Sequence, residues 1–172
     1  YDNAKQCYQR CIDHNPADFI YHYKMATLCH DLNDLNEAKR HYEQSLRCIS
    51  CASTNTNPPR NKRYHKYVRN LYFCFAQLLM QLDALKYCDV IQKYFNILLT
   101  KYNPKNKPSA CLHFKYAQFL SNQHQHNSKS SSNHIQLSLT HFERAIQIKP
   151  NIVKYHEDYA IILASIGQTE KA

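Results

Sequence analysis

Glycine and tryptophan are nearly missing from this sequence of 172 residues, which has one glycine, Gly167, and no tryptophan. All-β folds need glycine in their tight turns, and Rossmann and P-loop sites build their phosphate cradles on glycine backbone. Proline is also sparse, with six residues. The composition therefore argues against those classes and leaves a helical fold.

Long hydrophobic runs are missing as well. The longest, from Leu71 to Leu82, spans twelve residues and is interrupted by Gln77, whereas a helix needs about 20 apolar residues to cross a bilayer. We therefore expect no membrane-spanning helix and no membrane partner. The chain begins at Tyr1 rather than at methionine, so the sequence constrains location weakly. We expect a cytoplasmic protein, with the nucleus as the alternative.

Acidic residues are scarce in the middle of the chain. Residues 44–142 contain thirteen Lys and Arg but only Asp83 and Asp89, although the whole chain has a formal net charge of +9. The densest basic run comprises Arg60, Lys62, Arg63, Lys66 and Arg69. Tyrosine and histidine are interleaved with it, and basic and aromatic side chains together can grip a phosphate backbone and stack on bases. Since most charge runs are solvated faces, we favour an acidic protein partner over nucleic acid.

Eight cysteines raise the question of metal binding or disulfide bonding. Cys48 and Cys51, and Cys7 and Cys11 with His14, have the spacing of metal ligands. A structural zinc site needs four converging ligands. Four of the cysteines instead fall near the helix contacts of the repeat described below, namely Cys11, Cys29, Cys74 and Cys88. We therefore interpret the cysteines as free thiols and expect no metal, disulfide or cofactor.

A pattern of small and aromatic residues recurs with a period of 34, the distance from Ala4 to Ala38 and from Ser138 to Ala172. In each copy a small residue is followed four positions later by an aromatic one and three later again by another small one. The copies are Ala4, Tyr8, Cys11; Ala38, Tyr42, Ser45; and Ser138, Phe142, Ala145. Steps of four and three keep these residues on one helical face, where small side chains let a neighbouring helix approach.

A second helix type precedes the later copies and pairs a bulky residue with alanine. The pairs are Met25-Ala26, Phe75-Ala76, Tyr116-Ala117 and Tyr159-Ala160. Ala26 lies twelve residues before Ala38, and the same interval after Ala76 predicts Cys88 as the small residue of the next copy. Three residues before the bulky positions lie His22, Tyr72, His113 and His156. We interpret these histidines as packing residues rather than as a ladder of ligands.

This pattern resembles the tetratricopeptide (TPR) family, with the half-a-TPR repeat as a more distant alternative. The resemblance implies an all-α, right-handed α-solenoid of antiparallel helix pairs. Nine extra residues separate Ala117 from Ser138, and they are Ser/Asn/Gln/His-rich. The expected organisation is one array fragment, with a partial repeat at 1–17, repeat 18–51, a basic linker at 52–63, repeat 64–107, repeat 108–151 with a disordered insertion at 122–133, and a partial repeat at 152–172.

The resemblance implies a non-catalytic scaffold that holds protein or peptide partners in a concave groove lined by the first helix of each pair. The groove candidates are Tyr23, Thr27, Phe73, Gln77, Phe114, Gln118 and Glu157. Their rings offer rigid contact area, and their amides can pair with the backbone of an extended peptide. The alternative, left open by the sequence, is that the rings pack between adjacent repeats. No catalytic motif such as G-x-S-x-G or H-E-x-x-H occurs, so no enzyme activity is expected.

Two more specific roles follow from relatives of the repeat. Some family members carry a basic and asparagine clamp for the acidic tails of heat-shock chaperones, but at the matching sites of this chain only Lys115 fits. Half-a-TPR proteins are RNA-processing scaffolds, and their helices are similar to Phe142-Glu143-Arg144-Ala145-Ile146 here. The alternative function is therefore a helical-repeat scaffold that contacts nucleic acid through residues 60–69.

Overall fold

A computed structural model describes residues 2–55, 62–102, 109–126 and 131–167, which are helical throughout apart from turns and short connections. The helices are α1 (Asp2–His14), α2 (Phe19–Asp31), α3 (Leu35–Asn55), α4 (Lys62–Asp83), α5 (Cys88–Lys101), α6 (Ala110–His126), α7 (Ser131–Ile148) and α8 (Val153–Ser165). They form two compact units, an N-terminal unit from Tyr1 to Asp83 and a C-terminal unit from Ala84 to Ala172. Arg60 and Ala172, which figure in the sequence predictions, lie outside the described residues.

The N-terminal unit is centred on the hairpin of α2 and α3. Asp18 caps α2 by accepting a hydrogen bond from the Ile20 backbone N–H at 2.9 Å, which satisfies one of the unpaired donors at the start of the helix. At the other end the chain reverses through Asn33, whose φ of 61° lies in the left-handed region that asparagine tolerates. Asp34 then accepts from the Glu37 backbone N–H and caps the start of α3.

The core of this unit follows the predicted small and aromatic positions. Ala26 and Ala38 are fully buried, and Tyr42 stacks on Phe75 of α4 with ring centroids 5.4 Å apart. Ser45, in the second small position, donates its hydroxyl to the Phe19 carbonyl oxygen at 2.9 Å. A hydroxyl is accepted in this core because a backbone oxygen satisfies it.

The C-terminal unit repeats the arrangement with α6 and α7. Ala117 is fully buried where α7 crosses α6, and the Ser138 hydroxyl donates to its carbonyl oxygen at 2.8 Å. Phe142 and Ala145 complete the buried face of α7. The apolar side of α8 closes this core.

Helix α5 corrects the predicted register of the third copy. The fully buried residues of α5 are Ile91, Phe95 and Leu98, which repeat the steps of four and three. Cys88 is the first residue of α5 and only half-buried, so it does not fill the small position. Fifteen residues instead of twelve separate Ala76 from the equivalent position, Ile91. The turn at 84–87 accommodates the extra residues.

The helices also reach into segments expected to be irregular. Helix α6 continues to His126 and α7 begins at Ser131, so residues 122–126 and 131–133 of the predicted disordered insertion are helical. Helix α3 likewise extends to Asn55, inside the predicted linker at 52–63. A polar segment can extend a helix because the helix satisfies its own backbone groups. The division after Asp83 falls inside the predicted repeat 64–107.

Candidate interaction surfaces

The first half of α4 carries an exposed basic face. Lys62, Lys66 and Arg69 are exposed, and steps of four and three place them on one side of the helix. Helix α4 has no acidic residue before Asp83. Cations near a helix N-terminus are disfavoured by about 0.3–1 kcal/mol each. An anion bound at this face would relieve that repulsion.

A cluster of cations and tyrosines lies beside this face. The Lys24 ammonium of α2 is 5.6 Å from the centroid of the Tyr67 ring, and the Arg63 guanidinium is 5.9 Å from the same centroid. Tyr67 in turn meets Tyr23 edge to face, with centroids 5.9 Å apart. The half-buried Tyr67 ring thus makes cation–π contacts with side chains of two helices, α2 and α4. We call Lys24, Arg63 and Tyr67 the tyrosine cluster.

The groove candidates of the N-terminal unit differ in their exposure. Tyr23 is 7% exposed and contacts Tyr42 as well as Tyr67, and burial raises the pKa of its hydroxyl. Its ring therefore belongs to the core, in agreement with the alternative interpretation that the rings pack between helices. Phe73 and Gln77 are half-buried on α4. Thr27 is half-buried on α2 and donates its hydroxyl to the Lys24 carbonyl oxygen.

In the C-terminal unit the predicted aromatic candidate is also a core residue. Phe114 is 6% exposed and packs against Tyr155 at 4.5 Å and Phe142 at 5.9 Å between ring centroids. Truncating Phe114 would therefore disturb the core before it revealed anything about a partner.

The polar candidates of this unit form a network between α6 and α8. Gln118 donates its amide to Asp158 at 2.6 Å and accepts from the Lys115 ammonium at 3.2 Å. Lys154 pairs with Asp158 at 2.8 Å and with the exposed Glu157 at 3.8 Å. The amide of Gln118 is thus already hydrogen-bonded. A peptide that uses it would have to replace the bond to Asp158.

Two of the predicted histidines meet a second histidine that the sequence analysis missed. His22 and His41 face each other with their Nδ1 atoms 3.1 Å apart, and His113 and His141 do so at 2.8 Å. Burial lowers the pKa of His41 and of His141 to about 4. His41 and His141 each immediately precede the aromatic residue of their copy, so a comparison of the copies could have revealed them.

None of the eight cysteines, all of which lie in the described ranges, is disulfide-bonded. Cys29 is fully buried, and burial raises its pKa. Burial also raises the pKa of Cys74, which lies beside the hydroxyl groups of Tyr23 and Tyr42. Within the described ranges, no three His, Cys, Asp or Glu side chains are grouped as metal ligands, and no helix is long and apolar enough to span a membrane.

The hairpin of α2 and α3 coincides with a known sequence family, since residues 20–47 match the tetratricopeptide repeat. The predicted resemblance to this repeat is confirmed. No protein with a curated description matches the chain significantly.

Solved structures extend the likeness beyond this hairpin. A crystal structure of MamA superposes with a TM-score of 0.69 at 11% identity, covering 98% of this chain and 80% of that chain. A second, of MamA protein, gives 0.68 at 13% identity, covering 99% and 75%. The structure of YrrB, described as a TPR protein with an unusual peptide-binding site, gives 0.45 at 17% identity, covering 95% and 86%. The predicted all-α fold of antiparallel helix pairs is confirmed.

Proposed function

We propose that this protein is a non-catalytic protein-interaction scaffold that binds an acidic segment of a partner protein on the basic face of α4. The tetratricopeptide repeat suggests a protein-interaction scaffold. The choice of an acidic partner rests on one observation, which is that the charged residues along this face are all positive. Lys62, Lys66 and Arg69 are exposed together, and no carboxylate of α4 lies among them. Such a face attracts carboxylates and favours a partner of opposite charge.

The tyrosine cluster adds specific contacts to this attraction. The Tyr67 ring contacts both Lys24 and Arg63 and restricts their side chains, so less side-chain entropy is lost when they meet a carboxylate. Phe73, Thr27 and Gln77 supply the apolar and hydrogen-bonding contacts of the same site in this proposal. In this proposal Gln118 and Glu157 contact the partner separately, on the C-terminal unit. Tyr23 and Phe114 position neighbouring side chains from the core and do not touch the partner.

Nucleic acid is the second candidate for the basic face. The specific observation in its favour is the Tyr67 ring flanked by two cations, since bases stack on aromatic rings beside basic side chains. Tyr67 is half-buried and leaves little of its ring for stacking. The acidic protein segment is therefore the better-supported ligand.

Charge reversal on α4 tests the proposal. We expect Lys62→Glu, Lys66→Glu and Arg69→Glu together to weaken binding of a fluorescently labelled Glu/Asp-rich peptide at least tenfold in fluorescence anisotropy. The reason is that three attractive contacts become repulsive. Binding to the unchanged protein should weaken as salt rises, because salt screens exposed charges. The same titration with single-stranded poly(U) decides between the two ligands.

A matched control changes the same number of charges elsewhere. Lys93, Lys101 and Lys149 are exposed on or after the second helices of the C-terminal unit, and their replacement by glutamate alters the net charge equally. We expect this variant to bind the acidic peptide within about threefold of the unchanged protein. Equal losses in both triple variants would contradict a defined site, and tight binding of poly(U) with none of the peptide would favour the RNA-binding alternative.

A further inference from the structure

Two imidazole pairs, the first buried and the second partly buried, occupy equivalent places in the two hairpins. His22 and His113 lie on the first helices, α2 and α6, while His41 and His141 lie on the second helices, α3 and α7. The distance between the ring centroids is similar in the two pairs, 5.4 Å in the first hairpin and 5.1 Å in the second. Each pair therefore joins the two helices of its hairpin through one Nδ1–H···Nδ1 hydrogen bond.

Two charged groups of α3 border the outer nitrogen of His41 in the first pair. The two facing Nδ1 atoms are 3.1 Å apart, so one of them donates and the other accepts. The Nε2 of His41 lies 3.2 Å from the Arg40 guanidinium and 3.3 Å from a carboxylate oxygen of Glu37. The guanidinium can only donate and favours a neutral ring, whereas the carboxylate can only accept and favours a protonated Nε2.

The charged groups around the pairs are few. Arg40 and Glu37 of α3 face His41 with opposite effects, and Arg40 also disfavours a charge on His22. From α1, Lys5 acts on Glu37. Around the second pair, Arg144 of α7 disfavours a charge on His113.

An aromatic ring borders the second pair. The Tyr116 ring packs against His141 with centroids 4.9 Å apart. Burial lowers the pKa of His141, because a charged ring loses part of its hydration in this hairpin.

We propose that each imidazole pair is an acid-operated latch, which holds the two helices of its hairpin together while its rings are neutral and releases them when both rings are protonated. A single proton can be shared between the facing nitrogens. A second one places two N–H donors about 3 Å apart with no acceptor between them. The doubly protonated pair is accommodated only when the helices separate and water enters.

Unfolding in urea at pH 7 and pH 5, followed by circular dichroism on the whole chain, tests the latch. The pKa of His41 and of His141 falls from 6.5 to about 4 on folding. The unfolded chain therefore binds more protons in this range, and stability is full above pH 6.5 and lost as the pH falls toward 4. Between pH 7 and pH 5 we expect the unfolding equilibrium constant to rise about 20-fold for each of these two rings.

Removing the pairs should remove this dependence. Tyrosine already occupies the position equivalent to His22 at Tyr72, so we suggest His22→Tyr with His41→Leu, and the same changes at His113 and His141. In each double variant the rise of the unfolding equilibrium constant between pH 7 and pH 5 should be at least 20-fold smaller than in the unchanged protein. In His14→Gln, a change at an exposed ring, the rise should be the same as in the unchanged protein. A double variant as acid-sensitive as the unchanged protein would overturn the proposal.

A second measurement needs no variant. In NMR spectra of the unchanged protein, the ring signals of His41 and His141 should keep their neutral positions on acidification until the backbone amide signals of their hairpins change too. If these rings became protonated while the amide signals stayed native, protonation would not open the hairpins and the latch would be refuted.

Discussion

Replacing Tyr42 by alanine is expected to lower the free energy of unfolding of the N-terminal unit by about 3–5 kcal/mol. Tyr42 is fully buried, and its ring touches residues on both α2 and α4. The Phe75 ring lies 5.4 Å away, and the rings of Tyr23 and His30 each lie 6.4 Å away between centroids. Truncation would leave a cavity between three helices, and such cavities collapse poorly. Urea unfolding followed by circular dichroism measures the change.

Tyr42→Phe separates the packing of the ring from its hydroxyl group. That hydroxyl has no nitrogen or oxygen partner among the described residues, and only the Cys74 thiol, a weak partner, lies beside it. Removing a buried hydroxyl that makes no strong hydrogen bond should change stability by less than about 1 kcal/mol. If alanine were tolerated as well as phenylalanine, the aromatic position would not be part of the core and the repeat pattern would have been misread.

Ala117→Leu is expected to destabilise the C-terminal unit by about 1–3 kcal/mol or to prevent its folding. Ala117 is fully buried, and Ser138 approaches its carbonyl oxygen to 2.8 Å. The helices α6 and α7 thus meet at two small residues, and three extra carbon atoms can fit only if the helices move apart. Separation would also break the hydrogen bond from Ser138.

Ala164 on α8 provides the control, because it is exposed. Ala164→Leu adds the same atoms to a helix without crowding it and should change stability by less than about 0.5 kcal/mol. Thermal unfolding of both variants beside the unchanged protein gives the comparison. Equal melting temperatures for the two variants would mean that close approach of α6 and α7 is not required.

The sequence was sufficient for the fold because small and aromatic residues recur at fixed steps. Ala38, Tyr42 and Ser45 are all fully buried as predicted. The prediction failed at Cys88 because it assumed that every hairpin turn has the same length. In α5 the large residues Ile91 and Leu98 are buried where the other copies have small residues. The pattern of small and aromatic residues therefore could not reveal the register of this helix.

The candidate groove was harder to predict from the sequence. The repeat pattern assigns Tyr23 and Phe114 to the concave face of the first helices, but it cannot say whether a neighbouring first helix covers them. Tyr67 of α4 covers Tyr23, and Tyr155 of α8 covers Phe114. A first helix in such repeats is enclosed from two directions. A hydrophobic residue on such a helix can therefore belong either to a partner-binding groove or to the core, and only its contacts with neighbouring helices decide which.

The graded exposure of the thiols makes the N-terminal hairpin accessible to chemical alkylation as a probe. Cys7 and Cys51 are exposed, whereas Cys29 is fully enclosed by α2 and its neighbours. An alkylating reagent reaches the two exposed sulfur atoms directly, but it reaches Cys29 only in molecules whose hairpin has opened. The rate at which Cys29 is alkylated thus reports how often this hairpin opens, without any introduced label.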